Sequence, residues 1–239
     1  SSLLGGERDK CHIERFEDYV RDLGTFIDQV VNAQAHPARV LLGHSMGGIV
    51  AMLYAESHPG AFDGVILCAP MLRVVTHPLP EALAGVMCEC AVPLGLGERY
   101  CPTRGPWELL PFEGNPFTQS RARWSLWEEH LIPSRDLTGM GGPTLRWLRE
   151  GMRAGRRAGR DAGEIRVPVL LFQAGLDTYV KPRAQEEACD RMPNCELVRY
   201  PVSRHEILME RDSIRDSAVE EIRGFLGGIS SRVAASLAR

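Results

Sequence analysis

The sequence contains very little lysine and no long apolar run, and these absences exclude several classes of protein. Lysine occurs only at Lys10 and Lys181, whereas arginine is abundant, a bias that reflects codon usage more than a binding surface. No stretch approaches the roughly 18 consecutive apolar residues of a transmembrane helix, and residues 1–10 lack the apolar segment of a signal peptide. The net charge of −3 is ordinary and argues against nucleic acid as a partner.

The seven cysteines lack the even number and regular spacing of a disulfide framework. Cys88 and Cys90, separated only by Glu89, do not have a zinc-ligand spacing, and no matching His/Cys pair follows them. We therefore predict reduced cysteines, no metal site and a cytoplasmic location.

The first motif that indicates a function is VLLGHSMGGIV at residues 40–50. This stretch reads as a short apolar strand, a Gly-x-Ser-x-Gly pattern and the first turn of a helix, which is the context of a nucleophile elbow. Ser45 is then expected on a strained turn at a helix N-terminus, where free N–H groups favour developing negative charge. Gly43 and Gly47 have no Cβ atom, and we expect that a Cβ at either position would collide in so sharp a turn. The alternative is a tight turn whose serine only caps the helix.

Apolar periodicity predicts helices and strands that alternate along much of the chain. Strands are predicted at residues 38–42, 62–69, 167–172 and 196–200. Helices are predicted at residues 14–31, 46–57, 183–191 and 207–226, with a frayed tail after Gly228. This rhythm predicts an α/β fold with a mostly parallel sheet and helices on both faces.

The rhythm is interrupted between the second and third predicted strands. Residues 72–164 are rich in Pro, Gly, Arg and Trp, with short helical pieces and no clear strand. We predict that residues 1–71 and 165–239 form the core and that residues 72–164 form an inserted helical lid, because lids over active sites occupy such connections.

Two further polar residues directly follow predicted strands. Asp177 lies in GLDTYV after the 167–172 strand, and His205 follows the 196–200 strand just before a helix. A serine nucleophile needs a base, the base needs an orienting carboxylate, and the chain order Ser, Asp, His suits this fold. The alternatives are a loop aspartate and a helix-start histidine. His44 neighbours Ser45 but is expected to point away from it.

These motifs resemble those of one enzyme family. GHSMGG at 43–48, GLDTYV at 175–180, HEILME at 205–210 and the helix RFEDYVRDL at 15–23 resemble the bacterial lysophospholipase and monoacylglycerol-lipase branch of the α/β-hydrolases. The resemblance implies Ser45 as nucleophile, His205 as base, Asp177 as its orienter and the Met46 backbone N–H as an oxyanion donor. It implies no cofactor.

The resemblance also concerns the beginning of the chain. Enzymes of this branch begin with further strands, which carry a His-Gly loop with the second oxyanion donor and an Asp-x-Arg-Gly-x-Gly segment. This chain starts with Ser1-Ser2-Leu3-Leu4, which resembles the sequence after that segment. We therefore expect an N-terminally incomplete sequence without its first strands and its second oxyanion donor.

The segment at 72–164 suggests the substrate. Its apolar residues and four tryptophans offer a surface for an acyl chain, and the alternative for each of them is packing of the lid onto the sheet. Arginines between 146 and 160 have helical spacing, which is typical of a solvated face and also compatible with anionic lipid headgroups at a membrane surface. The predicted function is hydrolysis of carboxylic esters in lysophospholipids or monoacylglycerols. A short-chain esterase or thioesterase, and a catalytically impaired chain lacking the second donor, remain alternatives.

Overall fold

The computed structural model describes residues 10–108, 110–131 and 140–238. The sheet in these residues has four parallel strands in the order β1-β2-β3-β4. The strands are β1 Val40–His44, β2 Gly64–Cys68, β3 Val169–Ala174 and β4 Cys195–Tyr200. Because all four run the same way, their carboxyl ends lie along one edge, where ligand chemistry collects in open α/β sheets.

Seven α-helices accompany this sheet in the described residues. They are α1 Glu17–Phe26, α2 Met46–Ser57, α3 Glu81–Ala91, α4 Arg121–Leu131, α5 Leu145–Asp161, α6 Pro182–Cys189 and α7 Asp212–Leu237. A π-helical turn, Ile27–Val31, continues α1, and a 3₁₀ turn, Ile207–Met209, precedes α7.

The C-terminal helix differs from the prediction. It begins at Asp212 and continues to Leu237, so the tail after Gly228 is helical where we predicted it to be frayed. Ile229 is buried, and its side chain approaches Gly64 at the start of β2 together with Phe225. This apolar contact stabilises the helical tail through tertiary packing. The sequence of the tail alone does not reveal this packing partner.

The helices cover both faces of the sheet, as predicted. Val65 and Leu67 of β2 join the apolar cluster that contains α2 and α5, whereas Ile66 packs in the cluster of α7 with Ile214 and Ala218. Successive strand residues therefore point into two cores, which is the pattern of a strand buried on both faces. The predicted α/β class is confirmed.

Helix α5 is longer and more deeply packed than the short helical pieces predicted for residues 72–164. It has 17 residues, and the hydroxyl of Thr144 caps it by accepting from the N–H of Trp147. Its Ala154 and Ala158 are buried in the core of the sheet. Helix α5 therefore packs on the same core as α2, and the division into a core and a lid remains a prediction.

One pair of cysteines differs from the expectation of reduced thiols. Cys189 and Cys195 form a disulfide across the connection from α6 to β4, with their Cα atoms 5.4 Å apart. The pair was not predicted because only the folded turn brings these two backbone positions within bonding range.

Glu56, in the last turn of α2, links stability to pH. Burial raises its pKa from the ordinary value of 4.5 to about 8, and nearby Asp161 adds to the rise. Between pH 4.5 and about 8, Glu56 therefore keeps its proton in the folded state and loses it in the unfolded state. The free energy of unfolding falls as pH rises through this window.

We expect Glu56→Gln to flatten this pH dependence and to raise the Tm at pH 8 relative to the parent, because the substituted amide cannot ionise. Thermal unfolding by circular dichroism between pH 5 and 8 measures the effect. Glu220→Gln, at an exposed position of α7, is the matched control and should leave the slope unchanged. Parallel Tm curves for Glu56→Gln and the parent would contradict the prediction.

Candidate active site

Ser45 occupies a strained turn between β1 and α2. Its φ of 50° and ψ of −117° lie outside the regions that non-glycine residues favour. The turn is held because the Ser45 N–H donates to the Cys68 carbonyl at 2.9 Å, while the Ser45 carbonyl accepts from the Met71 N–H at 3.0 Å. Surrounding hydrogen bonds thus maintain a conformation of the kind found at functional sites.

The glycines beside Ser45 have different steric roles. A Cβ on Gly43 would lie 2.5 Å from the carbonyl oxygen of Gly47, and one on Gly48 would lie 2.7 Å from the Cβ of Pro70. A Cβ on Gly47 would meet nothing within 4 Å. The expectation that Gly47 avoids a collision is therefore wrong, because the tight contacts are made by Gly43 and Gly48.

We expect Gly48→Ala to destabilise the protein by about 1–3 kcal/mol, since the new methyl group would overpack against Pro70. Gly47→Ala should leave stability near that of the parent and serves as the matched control one residue away. Chemical denaturation of the three proteins measures the difference. A loss for Gly48→Ala no larger than that for Gly47→Ala would show that the contact with Pro70 does not govern this position.

His205 and Asp177 lie in the loops after the neighbouring strands β4 and β3. The His205 Nδ1 is 2.6 Å from the Asp177 Oδ2, and the two side chains are only 5% and 1% exposed. The other carboxylate oxygen of Asp177 accepts from the backbone N–H groups of Tyr179 and Val180. The carboxylate is thus fixed, and it favours the tautomer in which Nδ1 of His205 carries the proton.

Ser45 and His205 line one cavity of about 970 Å³ above the carboxyl ends of the strands. No hydrogen bond joins the Ser45 hydroxyl to the His205 ring among the described contacts, and such bonds often tighten only with substrate bound. Met46, which also lines the cavity, is the first residue of α2, so its N–H has no intrahelical acceptor. The second oxyanion donor is expected to be missing from the sequence, together with the first strands. Residues 1–4, on which this expectation rests, lie outside the described residues.

His44 and Glu206 form a polar pair that the sequence analysis missed. His44 was expected to point away, yet it lines the same cavity, with its Nε2 3.4 Å from the carbonyl oxygen of His205 and 3.6 Å from a carboxylate oxygen of Glu206. Its ring lies 4.8 Å from that of His205, and burial lowers the pKa of His44. His44 directly precedes Ser45 and Glu206 directly follows His205 in the sequence. This adjacency could have indicated that both residues belong to the site.

The loop that carries His205 is bound to the segment before α4. The Glu206 N–H donates to the Phe117 carbonyl at 2.9 Å, and the Thr118 hydroxyl donates to the Met209 carbonyl at 2.6 Å. Glu210 is fully buried and accepts from the backbone N–H of Arg204 at 3.0 Å. Part of the segment predicted as a lid therefore positions the histidine loop.

The arginines of α5 mostly pair with acidic side chains. Arg153 binds Glu89, and Arg157 reaches Glu17. The other pairs join Arg146 with Glu14, Arg149 with Glu150, and Arg160 with Asp161. These pairs are typical of the solvated face that we gave as one interpretation, and membrane contact remains a prediction.

Two features are absent from the described parts of the chain. No helix there has the length and apolar character needed to cross a bilayer. No group of three or more His, Cys, Asp or Glu side chains there is arranged to hold a metal ion.

Comparison with known proteins identifies the family. The model of the family described as serine aminopeptidase, S33, matches residues 5–212. Lysophospholipase L2 of Escherichia coli K12 is 32% identical over 225 residues, which cover 90% of this chain and 65% of that protein. The chain thus spans about two thirds of the length of this relative.

Solved structures support the same fold. A soluble variant of monoglyceride lipase from Saccharomyces cerevisiae, in complex with a substrate analog, has a TM-score of 0.65 at 18% identity over 90% of this chain and 68% of its own. The monoacylglycerol lipase of Paleococcus ferrophilus has a TM-score of 0.66 at 17% identity over 91% and 76%. Together with the family match, this similarity confirms the resemblance seen in the sequence motifs: the chain belongs to the serine aminopeptidase S33 family of α/β-hydrolases.

Proposed function

We propose that the protein hydrolyses carboxylic esters of monoacyl lipids, a lysophospholipid or a monoacylglycerol, through an acyl-enzyme on Ser45. The observation that carries this proposal is the buried pair of His205 and Asp177, 2.6 Å apart, beside a cavity that also contains Ser45 on its strained turn. These are the parts that a serine hydrolase needs.

In the first half of the reaction, the Ser45 oxygen attacks the ester carbonyl while His205 Nε2 accepts the hydroxyl proton. The Met46 N–H stabilises the oxyanion, and Asp177 stabilises the imidazolium that forms. The carbon–oxygen bond to the glycerol moiety breaks, and His205 returns the proton to that oxygen. Water then attacks the acyl-enzyme in the same way and releases the fatty acid and Ser45.

The cavity lining supports an apolar substrate. Aromatic side chains form one wall, in which the ring of Phe117 lies 5.3 Å from that of Tyr179 and 5.6 Å from that of Trp127. Methionine, valine and leucine side chains form much of the remainder, including Met71, Val75, Leu79, Met87 and Leu148. Such a lining suits an acyl chain, and the activities for which the similar proteins are named, those of a lysophospholipase and of monoacylglycerol lipases, agree with this class of substrate.

A matched substrate panel tests the proposal. Initial rates would be measured for palmitoyl lysophospholipid, monopalmitoylglycerol, p-nitrophenyl butyrate, palmitoyl-CoA and an aminoacyl anilide, with fluorophosphonate labelling of Ser45 in parallel. We expect the two palmitoyl glycerol esters to have the highest kcat/KM. Preference for butyrate would support the short-chain esterase, preference for palmitoyl-CoA the thioesterase, and preference for the anilide a peptidase. A chain that neither turns over nor is labelled would support the impaired alternative.

A further inference from the structure

The cavity that holds Ser45 contains a single arginine and no lysine among its described lining residues. This residue is Arg104, whose exposed side chain lies at the mouth of an otherwise largely apolar cavity. Its guanidinium makes no ion pair with any carboxylate in the parts of the chain that the structure describes, although Glu108 lines the same mouth. Arg104 thus differs from the arginines of α5 that pair with acids, and its charge is available to a ligand.

The backbone of Arg104 is held in place by the segment before α5. Its N–H donates to the carbonyl of Cys101 at 3.0 Å, closing a turn in which Thr103 has a φ of 65°. The Gly142 N–H donates to the Gly105 carbonyl at 2.8 Å, and a Cβ on Gly142 would lie only 2.6 Å from the Cβ of Arg104. The loop is therefore clamped on both sides, so the arginine extends from a fixed point.

Arg104 lines the same cavity as Ser45 and His205. Its positive charge partly offsets the burial that raises the pKa of Tyr179. The Tyr179 ring in turn lies 5.5 Å from the ring of His205. A cation at this place can reach a polar group on the glycerol part of an ester whose carbonyl carbon is at Ser45.

We propose that Arg104 binds the headgroup phosphate of a lysophospholipid and is the residue that favours phospholipid over neutral monoacylglycerol. This inference rests on the proposed function and specifies one subsite of the same cavity. A guanidinium binds phosphate through two parallel, charge-assisted hydrogen bonds, which a neutral glycerol hydroxyl cannot replace. Arg104 is thus a specificity residue, with no part in bond breaking.

The test compares two substrates that share the palmitoyl glycerol ester and differ in the phosphoglycerol headgroup, palmitoyl lysophosphatidylglycerol and monopalmitoylglycerol, in mixed micelles of constant surface charge. We expect Arg104→Gln to lower kcat/KM for the lysophospholipid by about tenfold or more, chiefly through KM. The rate for monopalmitoylglycerol should stay within about twofold, and Arg104→Lys should retain part of the preference because it keeps the charge. Arg99→Gln, at an exposed position outside the cavity lining, is the matched control and should change neither rate.

A binding measurement separates this inference from the proposed function. In the Ser45→Ala background, equilibrium binding of the same two lipids is followed by tryptophan fluorescence, with and without Arg104→Gln. Weaker lysophospholipid binding with unchanged monopalmitoylglycerol binding supports the subsite even if the protein cleaves neither ester. An equal effect on both lipids, or no effect, overturns it even if both are cleaved. Loss of inhibition by inorganic phosphate with an unchanged lipid preference would assign Arg104 to a free anion and also overturn it.

Discussion

Ser45→Ala is expected to lower kcat for a palmitoyl glycerol ester by on the order of 10⁴- to 10⁶-fold, because no other hydroxyl is presented on the strained turn above the sheet. Labelling by a fluorophosphonate should disappear with it. His205→Ala should cost a similar factor, and the double variant little more, since the nucleophile and its base act as one unit.

The matched control for this experiment is Ser57→Ala. Ser57 ends the same helix that Ser45 precedes, and its hydroxyl donates to the carbonyl of Leu53 at 2.7 Å, away from the cavity. The control should keep full activity and labelling. Labelling that persists in Ser45→Ala, or multiplicative losses in the double variant, would contradict the assignment.

Asp177→Asn is the second substitution with a large expected effect, a loss on the order of 10⁴-fold in kcat. The amide would preserve the shape of the loop, but its NH₂ group would favour a neutral histidine with the proton on Nε2. His205 could then no longer accept the proton of Ser45. Steady-state kinetics and the rate of fluorophosphonate labelling should fall together, while the Tm changes little.

Asp190→Asn is the control for this charge change. Asp190 is exposed at the end of α6, and it does not line the cavity. Full activity is expected for this variant. Substantial activity of Asp177→Asn, above about a tenth of the parent, would show that His205 is oriented by another group, for which Glu206 is the nearest candidate through its contact with His44.

The sequence by itself determined the α/β class, the order of the elements and the residues of the elbow. Strands with continuous apolar runs, such as β2 and β3, and helices with periodic apolar residues are encoded locally. The order of Ser45, Asp177 and His205, each just after a strand, also follows from local patterns. Because neighbouring parallel strands end at one edge, this order already implied that His205 and Asp177 would meet.

Only the tertiary structure decided which groups at long sequence separation contact one another. The packing of Ile229 against Gly64 and the burial of α5 are not encoded in any short stretch. The same holds for the steric role of Gly48, which depends on Pro70 in another loop. The same is true of Arg104, which lines the cavity. In sequence it resembles the other arginines, and only the tertiary structure shows that it pairs with no carboxylate among the described residues.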